Sequence, residues 1–208
     1  MKCRGISHSK RDNKLTRGYK LATLRGIVKD VGLIEDIRFG SIQSHDLNLS
    51  EEMVRTSPVL KPGDILINDR GFMSRELMNF LKVERNVDTY IPLRKNMVAY
   101  QQAILSAKEQ NIWKPHPNFK RKNQVISLVE GMGMYWDSDT PENDVPINTC
   151  VVWDKQFDNY FVFITTDITK SAKEIVRIYE LRPEIEEDYR QLKDFWKIER
   201  FLRVQNSI

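Results

Sequence analysis

The segment from Pro62 to Leu93 constrains the fold more than any other part of the chain. Pro62-Gly63 is a turn signal that feeds the continuous apolar run Ile65-Leu66-Ile67, the pattern of a short strand buried on both faces. Asp69 stands at the C-terminal end of that run. Residues 74–85 then predict a helix with Leu77, Phe80 and Leu81 on one stripe, and residues 88–93 predict a further strand. Ahead of this segment, residues 18–28 and 32–42 predict two strands with a turn at Val31-Gly32. Ser50, followed by Glu51 and Glu52, predicts the N-cap and acidic first turn of a short helix. Strands and helices interleaved in this way predict a mixed α/β architecture.

Beyond it, residues 98–110 predict a helix, and Asn118-Phe119-Lys120-Arg121-Lys122 reads as a basic loop. Strand-like runs follow at 124–136, 146–153 and 160–166, separated by Pro141, Pro146 and several Asp and Asn residues. These look like a β-rich insertion. Thr166-Asp167 leads into a strongly charged section, 170–204, that reads as helical. The expected organisation is residues 1–97, a β-rich insertion over 98–166, and a helical part over 167–208.

A chain of 208 residues with 30% charged and 40% hydrophobic residues is ordinary for a globular protein, which argues against wholesale disorder. No apolar run approaches the roughly 18 residues of a membrane span, and the N-terminus lacks the apolar core of a secretory signal. Cys3 and Cys150 make no disulfide framework, so the cytoplasm is the expected compartment. The net charge of +4 says less than its distribution. Residues 1–29 carry nine basic and one acidic residue, residues 94–123 seven and one, and residues 130–167 one and eight. Such segregation suits a basic face for nucleic acid, and equally an uneven solvated surface.

The most informative chemistry lies near the C-terminus. Tyr179, Arg182, Glu186 and Lys193 are spaced at i, i+3, i+7 and i+14, which puts them on one helical face. Ile185, Tyr189, Leu192 and Trp196 form a separate packing stripe. Pro183 is expected to kink or restart the helix, because proline suits only a first turn. By spacing alone, this is a charged amphipathic helix. The order Tyr, Arg, Glu, Lys at these intervals resembles the Y-R-E-K signature of bacterial DDE transposases of the insertion-sequence-four group. Asp69-Arg70-Gly71-Phe72 looks like that group's second catalytic aspartate region, Gly18-Tyr19-Lys20-Leu21 like its second core strand, and Ile91-Pro92-Leu93-Arg94-Lys95-Asn96 like the stretch before its insertion.

The resemblance implies an RNase H-like core, and a transposase that cleaves and transfers DNA strands. It implies that Asp69 and Glu186 are two of three carboxylates holding Mg²⁺, for which Mn²⁺ can substitute. It further implies phosphate contacts from Arg182, Lys193 and Tyr179, and a dimer on DNA in an intact relative. The Lys120, Arg121 and Lys122 cluster is a further candidate DNA contact, or an exposed basic loop. The family's first aspartate belongs to a strand ahead of Gly18. The seventeen residues there are polar and basic, and none reads as a buried strand. Asp12, the only acid among them, lies in a loop-like stretch and is not assigned. The expectation is therefore a transposase shortened at both ends and missing the first core strand. Two other readings stay open: a catalytically inactive DNA-binding remnant, and an RNase H-like nuclease with another substrate.

Other residues read more plainly. His8, His45 and His116 are scattered without ligand spacing and are expected on surfaces or loops, so zinc is not expected. Trp136 and Trp153 are expected in core packing, although in relatives an aromatic in this region can stack on a flipped base. Cys3 and Cys150 are expected to be plain thiols.

Overall fold

The computed structural model describes residues 5–8, 15–28, 31–41, 45–132, 145–182, 190 and 194. It is mixed α/β, and the chain divides into two compact units, Met1–Leu60 with Pro183–Ile208, and Lys61–Arg182.

The first unit holds three antiparallel strands in the order β1 (Gly5–His8), β2 (Leu15–Val28), β3 (Val31–Ser41). Gly5–His8 forms a strand, in a stretch where none reads as a buried strand, paired through Gly5↔Gly18 and His8↔Leu15. Val31 and Gly32 belong to β3 rather than to a turn, because they pair with Val28 and Ile27. Helix α1 (Asp46–Thr56) starts earlier than expected. Its N-cap is His45, which accepts a hydrogen bond from the Leu47 N–H, and Ser50 is buried inside the helix with Leu49, Met53 and Val54. The helix lies close against β3: a Cβ on Gly40 would come within 3.0 Å of the Leu49 side chain. Ser57 Oγ donates to Asp36 Oδ2 at 2.6 Å, and Lys20 pairs with Asp46 at 2.7 Å.

The second unit is built on a six-stranded sheet of β4 (Ile65–Ile67), β5 (Asp88–Pro92), β6 (Lys114–Pro115), β7 (Gln124–Met132), β8 (Ile147–Asp154) and β9 (Asn159–Thr165). The strand order is β4-β5-β9-β8-β7-β6. Only β4 and β5 are parallel, and α2 (Arg75–Arg85) makes the crossover between them. The strands of the β-rich stretch join that pair through antiparallel β5–β9 pairing. Helix α3 (Val98–Gln110) follows β5, and α4 (Ala172–Tyr179) follows β9.

Two apolar layers hold this sheet. On one face Ala99, Tyr100, Ala103, Ile104 and Ala107 of α3 pack with Met78 against Ile91, Val151, Val162 and Ile164. On the other, Ala172, Ile175 and Val176 of α4 pack against Tyr90, Ile126, Cys150 and Val152. Adjacent residues such as Cys150 and Val151 thus serve opposite layers, as the two-residue period of a strand requires. The six residues from Ile147 to Val152 are all buried. The expected two-sided burial of Ile65-Leu66-Ile67 is not found: Ile65 is 42% exposed, because β4 is an edge strand. In α2 the buried stripe is Leu77, Met78 and Leu81, with Phe80 only partly covered.

Local chemistry sets the helix ends. Ser74 caps α2, while Asn86 and Asn111 end α2 and α3 at φ of 52° and 51°, a left-handed conformation that asparagine tolerates. Ser171 and Glu174 form a reciprocal capping box at the start of α4. That helix ends at Tyr179, and the chain then closes a tight turn in which the Arg182 N–H bonds the Tyr179 carbonyl at 3.1 Å. Arg182 is therefore in a turn and not on a helical face shared with Tyr179. Pro183 explains this, since it disfavours helical geometry in the residue before it. Arg190 and Asp194 are helical and form an i,i+4 pair at 3.9 Å; the rest of the expected 183–204 helix lies outside the described residues.

Candidate active site and nucleic-acid interface

Strand β4 delivers Asp69. The Asn68 N–H bonds the Tyr90 carbonyl at 3.0 Å, holding the chain to β5 one residue beyond the parallel ladder. Asp69 then caps a short 3₁₀ turn, Arg70–Phe72, its Oδ1 accepting from the Arg70 N–H at 2.7 Å. Its other oxygen, Oδ2, accepts from Arg182 Nη2 at 3.1 Å. The side chain of Asp69 is 42% exposed, so the carboxylate stays open to solvent and to a ligand.

The turn after α4 is fastened at three points. The Tyr179 ring lies 4.6 Å from that of Phe163 on β9, and Arg182 reaches Asp69. Glu180 Oε1 accepts from Arg121 Nε at 3.1 Å and from Asn118 Nδ2 at 3.3 Å. The basic loop is thus tied to the segment carrying the tyrosine and arginine. Arg121 is engaged by Glu180 and Gln124, whereas Lys120 and Lys122 are exposed and have no side-chain partner among the described residues.

His116 stands at the start of the basic loop, one of the two placements expected of it, but is buried rather than on the surface; its Nδ1 accepts from the Asn118 N–H at 3.1 Å, which fixes the start of the loop. Burial holds its pKa below the ordinary histidine value; the Glu180 carboxylate opposes this and the Arg121 guanidinium adds to it. Trp153 also differs from the core residue expected. It is half-buried, stacked on Tyr160 at 5.9 Å and tilted against Trp113 at 5.6 Å, with Nε1 donating to Asp158. Cys150 is a buried free thiol whose pKa burial pushes far up.

Asp69 and Arg182 are therefore brought together; Tyr179 opens the same turn with its ring on Phe163, and the basic loop is joined to that turn through Glu180. Glu186 and Lys193 lie outside the described residues, as do Asp12, Cys3 and Trp136. Among the described residues no cluster of three or more His, Cys, Asp or Glu could hold a metal ion. Asp69 offers the hard, solvent-open oxygen that a divalent cation prefers, and by itself does not complete a site. Sequence reading missed Asn118, His116 and Glu180. Their partners lie within the loop or about sixty residues away, and no spacing in the chain announces them.

Comparison with known families decides the kinship: the sequence matches the transposase DDE domain family over residues 4–205. The chain belongs to that family. No curated protein and no solved structure gives a significant match. The mixed sheet with four helices is consistent with the RNase H-like fold of a transposase domain. Among the described residues no helix of this transposase domain is long and apolar enough to cross a membrane.

Proposed function

We propose that this transposase domain is of the insertion-sequence-four group, acting on transposon ends and target DNA by metal-dependent strand cleavage and transfer. One observation carries the reading: Arg182 pairs with Asp69 at 3.1 Å across 113 positions of sequence. Two signature segments read independently in the sequence thus meet in space.

In this reading residues 1–97 and 167–208 form the core and 98–166 the insertion. Asp69 and Glu186 are two of the three carboxylates that hold Mg²⁺ or Mn²⁺. When bound, a divalent pair activates the attacking oxygen and stabilises the leaving one. Asp69 is presented for this by the Arg70 N–H, which fixes one carboxylate oxygen. Arg182 neutralises Asp69 in the absence of DNA and turns its planar fork to a phosphate when DNA binds. Lys193 holds a phosphate as a point charge, and Tyr179 donates a hydrogen bond to one. Lys120 and Lys122 contact the backbone, with Arg121 held by Glu180 as the strut of their loop. The active form is a dimer on DNA, in the prokaryotic cytoplasm at the nucleoid.

The test is cleavage of a transposon-end duplex in Mg²⁺ alongside DNA binding. Asp69→Ala and Glu186→Ala are expected to abolish any cleavage and to leave binding intact. A second reading, a non-catalytic DNA-binding remnant, rests on the unassigned first aspartate. It is favoured if wild type binds DNA with steep salt dependence and Glu186→Ala changes no output. Robust strand transfer by the chain would instead overturn the remnant reading.

A further inference from the structure

Two turns at one end of the six-stranded sheet each present an almost bare phenylalanine. Phe119 is 77% exposed in the loop after β6, and Phe157 is 73% exposed in the turn between β8 and β9. Single exposed apolar residues are common and need no explanation. These two are not scattered, because their turns are bonded to one another. The Lys155 N–H donates to the Asn123 carbonyl at 3.0 Å, Asn123 Nδ2 to Gln156 Oε1 at 2.7 Å, and Gln124 Nε2 to Asp154 Oδ2 at 3.0 Å.

Both turns are also held firmly. The Arg121 N–H bonds the Asn118 carbonyl at 2.9 Å, and Asn118 Oδ1 accepts from the Lys120 N–H at 3.0 Å. Asp154 Oδ1 accepts from the Gln156 and Phe157 amides at 3.0 and 3.4 Å. The rings are therefore offered on a preformed support, which limits the ordering cost of engaging a ligand.

The charge around them is basic. Lys120 and Lys122 follow Phe119 in the chain with ammonium groups unpartnered among the described residues, and Lys155 lies 5.7 Å above the Trp153 ring. The basic residues of the two turns, Lys120, Arg121, Lys122 and Lys155, outnumber the acids Asp154 and Asp158, whose carboxylates are held by Gln124 and Trp153 Nε1. Flat apolar rings next to free cations match an unpaired nucleotide strand, which offers bases to stack and phosphates to pair. A paired duplex hides its base faces. The pairings Ile67↔Tyr90, Pro92↔Phe163 and Trp153↔Tyr160 put this platform at the sheet end toward which β4 and Asp69 run.

We infer that the Phe119 and Phe157 turns form a stacking platform for single-stranded DNA, with Lys120, Lys122 and Lys155 reading its phosphates. This rests on the DNA-binding reading above and adds a site and a strand form to it.

The test titrates the full chain with a fluorescein-labelled 20-nucleotide oligothymidylate and with a 20-base-pair duplex at several salt concentrations. Phe119→Ala/Phe157→Ala is expected to weaken oligothymidylate binding about 5-fold to 160-fold for each ring engaged, with the salt slope unchanged. Duplex affinity should stay near wild type. Lys120→Ala/Lys122→Ala should instead flatten the slope by about 0.7 for each phosphate left without its lysine. Oligothymidylate binding unaltered by the phenylalanine pair overturns the platform while leaving DNA binding by the domain standing. If wild type binds neither probe, both readings fall. If the phenylalanine pair abolishes self-association in sedimentation and leaves DNA binding unmoved, the patch is a protein interface and the platform is overturned.

Discussion

At the scale of single residues, position in the fold decides what each side chain can do. His116 is the clearest case. As a hydrogen-bond acceptor for the Asn118 amide it must be unprotonated at Nδ1, and burial already depresses its pKa. A group whose folded pKa lies below its unfolded value contributes stability that is full above the unfolded value, about 6.5 for histidine, and is lost as pH falls through the folded one. Urea stability of wild type should therefore decline on acidification below about pH 6.5, and a His116→Gln variant should lose that component. Stability that rises over the same window would contradict this assignment. The Asp69–Arg182 pair belongs to a different class. With Asp69 42% exposed, solvent screening leaves little net stability in it. Arg182→Ala should shift unfolding by less than about 1 kcal/mol, measured by urea titration. A chemical role and a small stability effect are compatible there.

At the scale of elements, ends and faces carry different energies. The capping box of α4 satisfies orphan amides at the start of the helix that leads into the signature turn. Ser171→Ala should cost about 1 kcal/mol in urea unfolding. Leu81, in α2, is fully buried, and truncation there leaves a cavity that rigid neighbours fill poorly. Leu81→Ala should cost about 2–5 kcal/mol by the same measurement, several times the cap. Element type was legible where the periodicity was strong, as in α2, α3, β5 and the three strands after Gln124. Boundaries were less so. Ser50 looked like a cap because its type and its acidic followers match one, yet His45 takes that place and Ser50 is buried within the helix. Val31-Gly32 looked like a turn, yet cross-strand pairing absorbs it into β3.

At the scale of the whole molecule, the two apolar layers that hold the six-stranded sheet draw all their buried residues from Met78 to Val176. Each lies within the unit Lys61–Arg182. That unit contains its own core, so a fragment of residues 61–182 should unfold cooperatively on its own. Near-ultraviolet circular dichroism on heating is the check, and a gradual, baseline-like melt would show that the core needs the other unit.

The sequence by itself determined the family and the mixed α/β class, and it singled out Asp69, Tyr179 and Arg182 as candidates. These depend on residue type and short-range spacing, which a linear chain displays directly. Only the tertiary structure decided that Arg182 meets Asp69, that Glu180 holds the basic loop, and that Phe119 and Phe157 stand on bonded turns. It also decided that Ile65 faces solvent while the run from Ile147 to Val152 is buried. The more uniformly apolar run on paper is the less buried one. Burial follows from a strand's place in the sheet, at the edge or in the middle, and that place is fixed by pairings with residues far away in the chain.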